Sequence, residues 1–92
     1  MLSQIPFDLS RVDQEKLDVN LLRAAIIAEL DAINLYEQMV AMTRDEHMKK
    51  VFLAVAKEEK EHVGEFQAML LERDAEQVQE MAEGKEEVEE MR

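Results

Sequence analysis

The chain of 92 residues contains no cysteine, no tryptophan, one proline and two glycines. Without cysteine, disulfide bonds, thiolate zinc sites and cysteine-based catalysis are excluded. So few glycines and prolines leave little material for the turns of a many-stranded protein. No apolar run approaches the roughly 20 residues that span a bilayer. Because residues 1–10 lack a basic segment followed by an apolar one, we expect no signal peptide and a cytoplasmic location.

Acidic residues dominate what is present. The chain has 22 acidic and 11 basic residues, which gives a formal net charge of −11. Charged residues make up 36% and hydrophobic residues 47%, a balance typical of amphipathic helices. Such a surface repels phosphate backbones and anionic lipids, so we expect neither nucleic acid nor a membrane as a partner. It would attract cations instead.

The N-terminal part of the chain divides into an arm and a first helix. Residues 1–12 contain the single proline, Pro6, and we predict an irregular N-terminal arm there. Asp13 is a suitable N-cap, and the apolar residues that follow recur at helical spacing. This pattern predicts a first helix that runs to about Met42.

A second long helix follows after a short connection. Thr43, followed three residues later by Glu46, resembles a capping box and predicts a new helix start, with the helix continuing to about Arg73. The short connection makes the two helices of residues 13–73 an antiparallel hairpin. Two helices cannot cover their own apolar faces, so we expect two hairpins to dimerise into a four-helix bundle. The predicted fold class is all-α, an antiparallel helical hairpin followed by a short C-terminal helix.

The C-terminal residues 74–92 predict a short third helix and an acidic tail. Asp74 with Gln77 marks a helix start, and Gly84 is the kind of residue that follows the last turn of a helix. We therefore expect the third helix to end near Gly84, and the tail, residues 85–92, to be helical or frayed.

One glutamate, Glu29, lies on the apolar face of the first predicted helix. Its neighbours one and two turns away are Leu22, Ala25, Ile26, Ala32, Ile33 and Tyr36. A carboxylate in the middle of such a face is costly unless something compensates its charge. A buried cationic side chain is one alternative, although the nearby Lys and Arg residues lie on other faces. A metal ion is the other.

Two further candidate ligands lie on the second predicted helix. Glu59 and His62 are three residues apart, so their side chains lie side by side. The residues around them on that face are Phe52, Val55, Ala56, Val63, Phe66 and Met69. The Glu-x-x-His spacing alone is weak, because glutamate is so frequent in this chain. His47, in the first turn after the connection, is expected to be a solvated surface residue.

The register of the hairpin relates these two halves. The connection is centred near Arg44, and Glu29 precedes that centre by the same length of chain by which Glu59 follows it. In an antiparallel hairpin these two positions face each other at the same height. Two carboxylates and one imidazole, that of His62, would therefore converge in one apolar seam. Hard carboxylate oxygens with imidazole nitrogens suit iron or manganese.

These three residues amount to half of a known ligand plan. Ferritin-like di-iron proteins take one glutamate from each of two helices and a Glu-x-x-His pair from each of the other two. One copy of the chain supplies one of each kind, so we expect a second copy to complete the site. Tyr36, seven residues after Glu29, shares its face. It either packs in the core, or hydrogen-bonds a ligand or donates an electron.

The stretch Ala25–Tyr36, together with Glu58–His62, resembles the encapsulated ferritins, which are two-helix cargo proteins of encapsulin nanocompartments. The resemblance covers about residues 13–83. It implies a di-iron ferroxidase centre at the interface of a homodimer, and dimers assembled into a ring, commonly a decamer. It also implies the encapsulin shell protein as a partner, the shell interior as the location and iron mineral storage as the outcome.

By this resemblance, the iron ligands are Glu29, Glu59 and His62, and Tyr36 is the residue beside them. Other members of the family carry extra glutamates that form an outer metal site. The corresponding positions here are Ala28 and Asp31, so Asp31 is the candidate ligand of a reduced outer site. A tryptophan near the site in some members is Leu35 here.

Other functions remain open at this point. A rubrerythrin-like di-iron peroxidase uses similar ligands, usually in a longer chain with an electron-donating cysteine–iron domain. A structural metal clamp would bind metal without turnover. In an acidic helical interaction module, Glu29 and Glu59 would be incidental. The chain is either separate cargo or the front part of a fusion to the shell protein.

Overall fold

A computed structural model describes Asp8, Ser10 and residues 13–92. The irregular arm predicted for residues 1–12 therefore lies almost entirely outside the described residues. Within them, three α-helices follow a short 3-10 helix and there is no strand, so the all-α prediction is confirmed. None of the described helices combines the length and the apolar character that a membrane crossing requires.

The first two long helices, α1 and α2, form the predicted antiparallel hairpin. The helix bounds are Gln14–Lys16 for the 3-10 helix, Leu17–Met42 for α1, Glu46–Arg73 for α2 and Ala75–Glu90 for α3. Arg23 contacts Asp74 at the open end of the hairpin, and Tyr36 contacts Phe52 nearer its connection, as an antiparallel pairing requires. The chain becomes helical directly after Asp13, although the Asp13 side chain makes no capping hydrogen bond.

Asp45, not Thr43, caps α2. A carboxylate oxygen of Asp45 accepts a hydrogen bond from the backbone N–H of Met48 at 3.0 Å. The Thr43 hydroxyl accepts from the backbone N–H of Asp45 at 3.2 Å, and the Thr43 N–H donates to the Met39 carbonyl, which ends α1. The predicted capping box at Thr43 and Glu46 is therefore wrong. The extended backbone of Asp45 directly before Glu46 lets its side chain reach the first turn.

Asp74 joins all three helices. Its Oδ1 accepts a hydrogen bond from the backbone N–H of Gln77 at 3.0 Å, which caps α3 as the sequence predicts. Its Oδ2 accepts from the Arg23 guanidinium of α1 at 2.9 Å. The Asp74 side chain is only 17% exposed, so this ion pair is partly shielded from water. The pattern around Asp74 indicates the cap, but not the link to a residue 51 positions away.

The expectation that the third helix ends near Gly84 is wrong, whereas the expectation of a helical tail is confirmed for residues 85–90. α3 continues through Gly84 to Glu90, and neither described glycine has a positive φ. A glycine inside a helix costs only about 1 kcal/mol relative to alanine. The glutamates, lysine and methionine around Gly84 are good helix formers and outweigh that cost.

The seam between α1 and α2 buries few side chains. In the described part of the chain, the buried hydrophobic residues are Ile33, Ala56 and Leu70. Many large hydrophobic side chains are exposed: Leu21, Ile27, Leu30, Met42, Met48, Val51, Leu53, Met69, Val78, Met81, Val88 and Met91. Burying one such side chain stabilises a structure by about 1.5–3 kcal/mol. A single copy therefore leaves much apolar surface available for contacts beyond the hairpin.

Candidate metal centre

The three candidate ligands lie at the middle of the hairpin. Glu29 is near the centre of α1, and Glu59 and His62 are near the centre of α2. Central helix positions are the least prone to fraying, because hydrogen bonds hold the backbone on both sides. The two glutamates are therefore presented by rigid backbone at one height of the seam.

His62 stands between the two carboxylates. Its Nδ1 lies 3.4 Å from Oε2 of Glu29 and 3.4 Å from Oε2 of Glu59. One potential ligand atom from each of the three residues lies within 4.8 Å of the others. The structure thus brings together the three side chains that the sequence pattern predicts to meet. Their role as metal ligands stays a prediction.

The two carboxylates are more buried than the imidazole. The Glu29 and Glu59 side chains are 19% and 18% exposed, whereas that of His62 is 41% exposed. Within the described residues, Oε2 of Glu29 is a buried oxygen with no hydrogen-bond partner. Its contact with His62 falls within ion-pair range but lacks hydrogen-bond geometry. An ionised oxygen in this position is costly, and a cation held beside it would remove that cost.

A protonated His62 that bridges both carboxylates is the alternative to a metal ion. Charge-assisted N–H···O bonds are usually about 2.7–2.9 Å long, so two separations of 3.4 Å are poor hydrogen bonds. Donors that share one ion at about 2.0–2.2 Å, as at zinc sites, lie about 3–4 Å from one another. The two separations of 3.4 Å fall in that range and all three atoms lie within 4.8 Å of one another, so the spacing is compatible with one shared ion.

One hairpin supplies only part of a coordination sphere. Three donors fall short of the six that octahedral carboxylate sites use, and His62 remains partly exposed to the outside of the hairpin. The arrangement fits a half-site whose missing ligands come from outside this copy.

Tyr36 lies along the same face of α1 and packs against Phe52. The two ring centroids are 6.2 Å apart and the rings are tilted by 33°. Seven residues of helix place Tyr36 about 10 Å from Glu29 along the axis. Core packing is therefore one role of this half-buried residue, and its predicted role beside the ligands stays a prediction.

Asp31 lies outside the cluster of three ligand candidates. Two residues of helix rotate its side chain about 160° away from that of Glu29. Asp31 is half-buried and has interactions of its own. The outer metal site assigned to it stays a prediction. His47 is exposed, as expected.

One ionic contact close to the site is not indicated by the sequence pattern. Nζ of Lys60, the residue after Glu59, lies 3.7 Å from Oε2 of Glu37 on α1. Both side chains are more than half exposed, so the pair contributes at most about 1 kcal/mol. No local pattern marks this contact, because it depends on how the two helices cross.

Two glutamates and a histidine that meet halfway along a helical hairpin are typical of one class of proteins, the ferritin-like carboxylate proteins. Comparison with known proteins narrows that class. The sequence profile of the EncFtn-like family matches residues 6–83. Because this match spans most of the chain, the chain belongs to the EncFtn-like family.

Two relatives agree with this assignment. A ferritin-like–encapsulin shell fusion protein of Pyrococcus furiosus is 60% identical over 73 residues, which are 79% of this chain and 21% of that protein. The chain thus spans about a fifth of the length of that relative. The crystal structure of an encapsulated ferritin domain from Pyrococcus furiosus is 51% identical, with a TM-score of 0.83 over 98% of this chain and 94% of that one. The resemblance to encapsulated ferritins is confirmed.

Proposed function

We propose that two copies of this chain form one ferroxidase centre, which oxidises Fe²⁺ to Fe³⁺. The observation that carries the proposal is the convergence of Glu29, Glu59 and His62 around a buried carboxylate oxygen without a hydrogen-bond partner. The family supports iron as the metal, since the relatives are named as ferritin-like and as encapsulated ferritin.

The second copy contributes the same three side chains across a two-fold axis. The complete centre then contains four carboxylates and two imidazoles, and Glu29, Glu59 and His62 of each copy would hold the two ions. Two Fe²⁺ ions match the four negative charges. Without metal these carboxylates repel one another. Iron therefore favours the paired state by mass action.

Iron is the substrate of the reaction. Two Fe²⁺ ions give two electrons to one molecule of dioxygen, which takes up two protons and leaves as hydrogen peroxide, and the Fe³⁺ passes on to a mineral. The role of the protein is to hold the ions close together while leaving a coordination position open to the oxidant. The carboxylates favour Fe³⁺ because hard anionic oxygens stabilise the higher charge. Tyr36 lies next to the iron ligands in this proposal. Asp31 is the ligand of an outer metal site.

We place this activity inside an encapsulin nanocompartment, with dimers assembled into a ring-shaped decamer. The shell protein is the partner, because one relative joins a ferritin-like segment to an encapsulin shell in a single chain. The shell would retain the iron mineral that an open ring cannot hold.

Anaerobic Fe²⁺ titration followed by addition of dioxygen tests the proposal. We expect two Fe²⁺ per pair of chains and rapid oxygen uptake, both of which are lost in Glu59→Ala. Glu58→Ala is the matched control, because Glu58 is the exposed neighbouring glutamate on the same helix. A wild-type rate in Glu59→Ala contradicts the proposal. If the wild-type chain does not bind iron, the result favours an acidic interaction module. If it binds iron but takes up no oxygen, the result favours a structural metal clamp.

Native mass spectrometry tests the shared site separately. Fe²⁺ is expected to shift the wild-type chain towards dimers and rings, and to have little effect on His62→Ala. Glu58→Ala is again the control, because Glu58 is an exposed residue on the same helix. Identical oligomer distributions with and without Fe²⁺ would argue against a metal centre between copies.

A further inference from the structure

Helix α3 carries an apolar stripe that the described part of the chain leaves exposed. Val78, Met81 and Val88 are 47%, 41% and 58% exposed, and Met91 just beyond the helix is 83% exposed. The stripe lies in a strongly acidic segment, since residues 74–92 contain eight acidic and two basic residues. Such a helix fits a surface that is both apolar and positively charged.

The hairpin tip, residues 42–51, has that character. Met42, Met48 and Val51 are 82%, 45% and 48% exposed. An open cavity of about 260 Å³ is lined by Met39, Met42, Thr43, Met48 and Phe52. The tip contains three basic and two acidic residues, so it is positive within a chain of net charge −11.

Both acidic residues of the hairpin tip are engaged inside α2. Asp45 accepts the capping hydrogen bond at the helix start, and Oε1 of Glu46 lies 3.5 Å from Nζ of Lys49. The cations of Arg44 and Lys50 are exposed beside the apolar side chains. The tip therefore presents positive charge next to apolar surface.

The register of the hairpin relates the tip to the start of α3. The stretch of chain from Glu29 to Arg44 is as long as the stretch from Glu59 to Asp74. Arg44 and Asp74 are therefore each about 22 Å from the site along the axis, at opposite ends of the hairpin. A two-fold axis through the site and perpendicular to the helices reverses the second hairpin end over end. The tip of that hairpin then lies at the height of Asp74, where α3 begins.

The charges favour this end-over-end arrangement over a pairing about an axis parallel to the helices. An axis parallel to the helices would place the two acidic α3 segments at one end and the two positive tips at the other, so like charges would face each other. The end-over-end arrangement brings each acidic segment beside the positive tip of the other copy.

We propose that α3 of each copy covers the hairpin tip of a second copy, with Val78 and Met81 against the tip cavity and acidic residues beside Arg44 and Lys50. This proposal rests on the proposed function, because the two-fold axis passes through the shared metal centre. The contact fixes the orientation of the second hairpin, which is reversed end over end relative to the first where their half-sites meet.

Cysteine trapping tests the contact, since the native chain has no cysteine to interfere. Chains carrying Met81→Cys and Met48→Cys, with different tags, are coexpressed and treated with a short bismaleimide. Most of the product should be the mixed dimer. The control pair is Gln79→Cys with Met48→Cys, because Gln79 is exposed but lies off the stripe. Crosslinks of Met81→Cys with itself, or equal yields in the control pair, would overturn the proposal.

Charge reversal supplies a second test on the full chain. Glu80 and Glu87 lie two turns apart on one side of the stripe, whereas Glu83 and Glu90 lie on the opposite face of α3. Arg44→Glu with Lys50→Glu should raise the dimer Kd on the order of tenfold. Adding Glu80→Lys with Glu87→Lys should restore most of the affinity, and Glu83→Lys with Glu90→Lys should restore much less. Equal rescue by both pairs, or no weakening, contradicts the contact.

Iron binding by the same variants separates this proposal from the proposed function. If the trapped pair does not form while wild-type chains bind two Fe²⁺ per dimer, only the α3 contact fails. If the mixed crosslink forms but no iron binds, the ferroxidase proposal fails and the contact stands.

Discussion

The hairpin seam and helix α3 use the same residue, glutamate, in opposite ways. Glu29 and Glu59 are 19% and 18% exposed and converge on one histidine. Glu80 and Glu87 of α3 are exposed. Glutamate is common in both regions, so composition does not distinguish them. The presence of a second helix that closes over the carboxylate does.

The difference has an energetic basis. A carboxylate in the seam loses hydration and needs a compensating cation, whereas a carboxylate on α3 keeps its water. A seam carboxylate therefore lowers the stability of the metal-free chain, and the proposed metal ion would offset that loss. α3 favours solvation and long-range attraction to positive surfaces. Three sets of substitutions test this contrast, beginning with the largest expected effect.

Glu29→Gln should lower the rate of Fe²⁺ oxidation between about 100- and 1000-fold, because it removes an anionic ligand from each half-site. The metal-free chain should become more stable by about 1–2 kcal/mol, since a neutral amide replaces a buried charge. Oxygen uptake and urea unfolding in the presence of a chelator measure the two effects. Glu83→Gln on the opposite face of α3 is the control, and should change neither. If both variants lose the same fraction of the oxidation rate, the seam and α3 carboxylates do not differ in function.

Leu70→Ala should destabilise a single copy by about 2–3 kcal/mol, because Leu70 is 6% exposed and its truncation leaves a cavity. Val88→Ala in α3 should cost less than about 0.5 kcal/mol, since Val88 is 58% exposed. Leu53→Ala is the matched truncation on α2, at 51% exposure. Urea denaturation followed by circular dichroism measures all three. A large cost for Val88→Ala in a single copy would mean that α3 packs on its own hairpin.

Gly84→Ala and Gly64→Ala should each stabilise the chain by about 0.5–1 kcal/mol, because alanine is the better helix former. A Cβ added at either glycine meets nothing within 4 Å, and neither φ is positive. Thermal unfolding should show a higher Tm for both. A gain at Gly84 with a loss at Gly64 would indicate close approach of another chain to α2 near His62.

The helical architecture follows from local patterns. The ends of α1 at Met42 and of α2 at Arg73 were predictable from apolar spacing, because amphipathic periodicity is read within a few turns. Two local signals misled. Gly84 did not end α3, since one unfavourable residue is outweighed by its neighbours, and Asp45 took the capping position assigned to Thr43.

The candidate site was accessible from sequence to an unusual degree. Glu29 and Glu59 are equally far from the connection, so a short loop alone brings them to one height. The distances within the cluster were not accessible, because they depend on helix crossing and on side-chain rotamers. The link from Arg23 to Asp74 was not accessible either, because the two residues are 51 positions apart.

The amino-acid order by itself determined three helices, one seam and the height at which Glu29, Glu59 and His62 meet, since helical periodicity and a short connection are local properties. Only the tertiary structure decided that Oε2 of Glu29 is buried without a hydrogen-bond partner and that His62 stands 3.4 Å from both carboxylates. The burial of this oxygen and the distances to His62 depend on how two helices pack, because each helix excludes water from the surface of the other.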